Sequence, residues 1–80
     1  ELASPKLSFL AKLDDQEFRQ FFSGSPIKRI GRDRFIRNVL IAIGNSDDKK
    51  LISSAISLVK DSSLLVRNTA LWAVKKLENV

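Results

Sequence analysis

Five basic side chains within ten positions are the residues of this chain best placed to do chemistry. Lys28, Arg29, Arg32, Arg34 and Arg37 fall in the stretch KRIGRDRFIR, which holds a single acid, Asp33. The window sums to +4 in a chain of formal net charge +5, so the rest of the chain is close to neutral. Ammonium and guanidinium groups at this density suit phosphate oxygens. A helix predicted to begin near Arg32 would add free backbone N–H groups and the positive end of its dipole. Such a site grips a polyanion by its backbone, with affinity that falls as salt rises. No aromatic residue is interleaved with the cluster to stack bases, because Phe35 belongs to a core stripe; backbone recognition is therefore expected over base readout. The competing reading is structural: Arg37 pairs with an acid or a neighbouring carbonyl, and the others form a solvated face.

The remaining residues exclude most catalytic classes. With no histidine and no cysteine, the chain lacks the commonest general base, the commonest metal ligand and any thiolate for a cluster or disulfide. Ser23, Ser25, Ser53, Ser54 and Ser57 have no histidine to activate them, and Gly24-Ser25-Pro26 lacks the phosphate-loop pattern. Asp14, Asp47 and Asp61 sit where helices should begin, so capping explains them. No catalytic, cofactor-binding or metal-binding residue is expected here. Lys75 and Lys76 complement the dipole of a last helical turn, with nucleic-acid contact secondary. Eighty residues, 44% of them hydrophobic, make one domain with a real core, and no apolar run nears the roughly 20 residues of a membrane span. The chain has no methionine and opens Glu-Leu, which reads as a piece of a larger protein.

Helical periodicity runs throughout, so the expected fold is all-α with about five helices. Ser4 and Pro5 open a first helix that ends near Leu13, with Leu7, Leu10 and Ala11 inward. Asp14 and Glu17 form a capping box for a second, about 15–23, lined by Phe18, Phe21 and Phe22 and stopped by Gly24. SPIKRI, 25–30, is expected as a loop. A third helix, about 32–43, buries Phe35, Ile36, Val39, Leu40 and Ile43, and Gly44-Asn45 terminates it. Asp47 caps a fourth, about 48–60, with Leu51, Ile52, Ala55, Ile56, Leu58 and Val59 inward. Ser62 or Ser63 caps a fifth, about 64–77, with Val66, Thr69, Ala70, Ala73, Val74 and Leu77 inward. Ile41 falls between Arg34 and Arg37 on the helical wheel and is expected to be covered. Trp72 shares an outer side with Leu65, either covered within the stack or marking an interface.

The last two helices resemble a HEAT repeat: Asp61 to Arg67 reads D-x-x-x-x-V-R and Ala70 to Ala73 reads A-x-W-A. Such pairs need stacked neighbours, which predicts a single domain over 1–80 built from a 15–44 pair and a 47–78 pair. Phe18-Arg19, Phe22, Gly24-Ser25-Pro26-Ile27-Lys28-Arg29, Arg37-Asn38 and Ala42-Ile43-Gly44-Asn45 resemble the C-terminal region of the epoxyqueuosine reductases. Ile43, and Val74-Lys75-Lys76, depart from the usual residues of that family. The resemblance implies a cytoplasmic, monomeric oxidoreductase with cobalamin and two four-iron clusters that reduces epoxyqueuosine in transfer RNA, the last step of queuosine synthesis. Its cluster ligands would be cysteines outside this chain. A HEAT-like domain of this kind is expected to hold the anticodon region of the transfer RNA, and Lys28, Arg29, Arg32, Arg34 and Arg37 are its phosphate-contact candidates. The alternative is a scaffold repeat that packs on the upstream catalytic domain without touching RNA.

Overall fold

The computed structural model describes residues 6–80. As expected, the fold is all-α, and no strand occurs among the described residues. Helix α1 spans Leu7–Leu10, α2 Asp15–Phe21, α3 Arg32–Gly44, α4 Ile52–Ile56 and α5 Leu64–Glu78; 3₁₀ helices cover Pro26–Ile30 and Lys49–Leu51. Helix α5 packs chiefly on α3 and α4, while α1 and α2 lie on α3. The layer is thin, 38 × 35 × 16 Å across its Cα atoms, so wide faces stay in contact with water.

The core follows the predicted stripes. Ile36, Leu40 and Ile43 of α3, Ala55 of α4, and Val66, Ala70, Ala73 and Leu77 of α5 have no exposed surface. All five phenylalanines join in a second cluster, with Phe18–Phe35 centroids 5.2 Å apart and Phe22–Phe35 centroids 4.9 Å apart. Phe35 also packs against the main core and so links the two. Ile56 departs from expectation: it is half exposed, because α4 ends there and does not continue to Lys60. The cause lies in the serines, since Ser57 Oγ donates to the Ser54 carbonyl at 2.6 Å and competes with the helix backbone.

The element ends show which signals were read correctly. Asp14 and Glu17 form the predicted capping box, with bonds of 2.8 and 3.0 Å. Ser63, not Ser62, caps α5 by accepting from the Val66 N–H at 3.3 Å. Asp47 is not a cap. It takes a left-handed conformation, φ 58°, tolerable for its short polar side chain, and Asp48 caps the following turn by accepting from Lys50 N–H at 3.0 Å. SPIKRI is a 3₁₀ helix and not a loop: Ser25 Oγ accepts from Ile27 N–H at 3.2 Å and Pro26 occupies the first turn. Gly31, φ 84°, ends it and starts α3. The expected first-helix start at Ser4-Pro5 lies outside the described residues.

Candidate nucleic-acid interface

Arg32 is set apart from the rest of the basic cluster. Its Nε donates to the Leu13 carbonyl at 3.1 Å, and its Nη1 and Nη2 donate to the two Asp61 carboxylate oxygens at 3.0 and 2.8 Å. Nη1 also meets Asp33 at 3.1 Å. The Arg32 and Asp61 side chains are only 13% and 12% exposed. Burial works against both charges, but the mutual hydrogen bonds outweigh it: the Asp61 carboxyl is held below the ordinary carboxylate range and the Arg32 guanidinium above its own. One side chain thus ties the segment before α2, the start of α3 and the link into α5. Asp61 adds a bond from the Ser63 N–H at 3.0 Å. Arg67, which sequence reading placed only in a repeat motif, donates to the Asp61 and Ser62 carbonyls at 2.8 and 3.2 Å. The spacing D-x-x-x-x-V-R was the signal for this latch. As a correction to the expected phosphate set, Arg32 has no donor nitrogen free of an internal partner.

The other four candidates remain outward. Lys28, Arg29 and Arg34 are exposed, and Arg37 is half-buried with its Nε donating to Asn38 Oδ1 at 2.8 Å. That bond uses one nitrogen of Arg37 and leaves its two terminal ones. Lys28 and Arg29 share a cleft with Gly24, Ser25 and Pro26. Arg34 and Arg37 follow on one face of α3, three residues apart. The 3₁₀ helix therefore presents two cations in one place and the first turns of α3 present two more. Exposed Ile27 and Ile30 flank Lys28 and Arg29 on the 3₁₀ helix.

Ile41 and Trp72, both 39% exposed, are not covered. The expectation of a covered Ile41 fails: α1 is a single turn, and Ile41 borders an open cleft. Gly44-Asn45 ends α3 as expected, though without a left-handed turn: Gly44 is the last helical residue and makes room for the Trp72 ring, whose Cζ3 would stand 2.5 Å from a Cβ at that position. Lys76 Nζ lies 5.9 Å from the Trp72 ring centroid.

The donor set of this chain does not fit the cobalamin or iron–sulfur groups that the family resemblance brings with it. It has no cysteine or histidine, and no three acids converge among the described residues. No helix there is long and apolar enough to cross a membrane.

Comparison with known proteins supports the resemblance read from the GSPIKR stretch. The chain is 37% identical over 62 residues to an epoxyqueuosine reductase of Xanthomonas campestris, covering 76% of this chain and 18% of that protein. It is 32% identical over 73 residues to the epoxyqueuosine reductase of Escherichia coli, covering 91% of this chain and 19% of that protein. An uncharacterized protein of Geobacillus stearothermophilus is 31% identical over 78 residues, 96% of this chain and 36% of that protein. The chain thus spans about a fifth of the length of the reductases it matches. No family model matches the chain, and no solved structure does. The chain is a relative of the epoxyqueuosine reductases over most of its length, consistent with a C-terminal domain of that family.

Proposed function

We propose that this chain is the transfer-RNA-binding helical domain of an epoxyqueuosine reductase, the enzyme that reduces epoxyqueuosine to queuosine in transfer RNA. The observation that carries the reading is the similarity to those reductases across most of the chain. The exposed cations of its basic window support it. Lys28, Arg29, Arg34 and Arg37 contact phosphates near the anticodon, while Arg32 holds the fold. The 15–44 and 47–78 segments stack as two HEAT-like pairs. Reduction itself, with cobalamin and iron–sulfur clusters, belongs to the larger part of such a protein, in the cytoplasm.

One observation favours the scaffold reading for part of the surface. Ile27 and Ile30 are 41% and 42% exposed beside Lys28 and Arg29, a mixed patch that also suits contact with another protein domain. A transfer-RNA titration at two salt concentrations separates the readings. Charge reversal at Arg34 and Arg37 should weaken binding and flatten the salt dependence by roughly 0.7–0.9 in log–log slope per lost phosphate contact. Charge reversal at Arg29 and Lys28 tests the loop separately. Unchanged affinity and slope in both variants would sink the RNA assignment.

A further inference from the structure

Helices α3 and α5 run side by side in the same direction. Arg32 at the start of α3 is bonded to Asp61 just before α5, and Gly44 at the end of α3 lies under Trp72, well along α5. The offsets, 12 residues on α3 and 11 from Asp61 to Trp72, advance both chains by roughly similar lengths at about 1.5 Å per helical residue. This alignment sets two outward stripes next to each other: Arg34, half-buried Arg37, and Ile41 on α3 with Asn45 just after it, and Leu65, Asn68, half-buried Thr69 and Trp72 on α5. Between them lies an open cleft lined by Ile41, Asn45, Asn68, Thr69 and Trp72.

We propose that this cleft takes an unstacked base of single-stranded RNA, with Trp72 as the stacking platform and Arg37 and Arg34 on the adjoining phosphates. The inference rests on the RNA-binding reading above and adds a base contact to it. Three features of the cleft select this occupant. The indole, 39% exposed with its six-membered ring held against Gly44, supplies an aromatic surface on which any base can stack. Asn45 and Asn68 are exposed amides, each offering two donors and an acceptor to a polar ring edge. An aliphatic side chain from a protein partner would cover the indole but leave these amides without partners, at a desolvation cost. Charge is the third feature. Arg37 stands about 6 Å along the helix from Ile41 and Arg34 about 10 Å, neither stripe carries a carboxylate, and the Lys76 ammonium lies over the ring. The Lys76 ammonium sits near the outer limit of a cation–π contact on an exposed, flexible stem, so it can move from the ring to a phosphate. The basic window by itself supports backbone recognition alone. The aromatic partner comes from α5 and enters only through the helix alignment.

Trp72 is the only tryptophan, and the chain has no tyrosine, so its emission reports this one position. The test titrates the 80-residue chain with an unstructured ten-nucleotide RNA and with an RNA duplex of equal length. The single strand should quench Trp72 saturably, whereas the duplex, whose bases are already stacked, should bind without quenching. Trp72→Ala should weaken single-strand binding by about tenfold to hundredfold and leave the salt slope unchanged; Trp72→Phe should keep most of the affinity. Should Trp72→Ala lose its far-UV circular dichroism, the quench of the unaltered chain and the Trp72→Phe affinity decide. Salt-dependent binding without quenching, and with Trp72→Ala equal to the unaltered chain, overturns the stacking site and leaves the phosphate reading standing. Absence of binding by either RNA at low salt overturns both. A Trp72 emission shift on adding the catalytic part of a reductase, with none on adding the oligonucleotide, overturns the stacking site in favour of a protein contact.

Discussion

Removing Asp61 tests whether the basic window contains a structural arginine. In Asp61→Ala the Arg32 guanidinium, 13% exposed, keeps the Leu13 carbonyl and a bond to Asp33 but loses both carboxylate contacts. Breaking a buried ion pair from one side costs about 3–5 kcal/mol. The Arg32–Asp61 pair is part-buried and Asp33 remains, so about 3 kcal/mol is the upper bound here. A domain of this size has about 4–12 kcal/mol of stability in total, so the melting temperature should fall by up to about 12–24 °C. Arg32→Met should cost less, since Asp61 keeps the Ser63 N–H. The double variant should cost less than the sum of the two, because no charge is left unpaired. Urea unfolding followed by far-UV circular dichroism measures all three. The pH dependence provides an independent check. The Asp61 carboxyl is depressed by its hydrogen bonds with Arg32, so the pair contributes fully above the unfolded value, near pH 4. Its contribution is lost as pH falls below that toward the folded value. Asp61→Ala should remove this part of the acid destabilisation. A loss under about 1 kcal/mol would place the pair among ordinary surface bridges and refute the argument that Arg32 is withheld from RNA.

Two further substitutions probe the geometry around the site. Gly44→Ala gains helix propensity of up to about 1 kcal/mol, yet its Cβ would stand 2.5 Å from Trp72 Cζ3. Crowding at about 1–3 kcal/mol should make it net destabilising with a shifted Trp72 emission, and the same change in a Trp72→Ala background should become neutral or stabilising; equal effects in both backgrounds would refute the contact. Asp14→Ala removes one side of the capping box and should cost about 1 kcal/mol without altering RNA affinity, a control for indirect loss of binding measured in the same titration.

Local signals were legible in the sequence wherever they acted alone. The capping box at Asp14 and Glu17 occurs as read, Ser63 is the cap of the two serines offered, and the stripes of α3 and α5 form the core, save that Thr69, expected inward, is half-buried and lines the cleft. Local signals are incomplete where a residue serves two purposes. Gly44-Asn45 does end α3, as its stop signal implies, but Gly44 also meets an indole from α5 that lies against it. Asp61 looks like a cap, and it does bond the Ser63 N–H, but its carboxylate is mainly directed to Arg32, 29 positions away. The run of serines after Lys50 cut α4 short, because hydroxyls bonding carbonyls are a local effect that apolar spacing does not register.

The basic window divides according to rotation about α3. At about 100° per residue, Arg34 and Arg37 are turned roughly 200° and 140° from Arg32. Arg32 can therefore face Leu13 and Asp61 only if Arg34 and Arg37 face away from them. The contact that withdraws one arginine is thus the contact that fixes the direction of the other two. It also sets the start of α3 level with the start of α5, and this shared start lets Gly44 meet Trp72 near the far end of α3. Charge density alone cannot distinguish the withdrawn arginine from those presented, because the five side chains are the same distance apart in sequence in either arrangement. The distinction depends on a carboxylate from the linker before α5, so the outward-facing pair Arg34 and Arg37 and the indole beside it are properties of the packed α3–α5 pair and of neither helix alone.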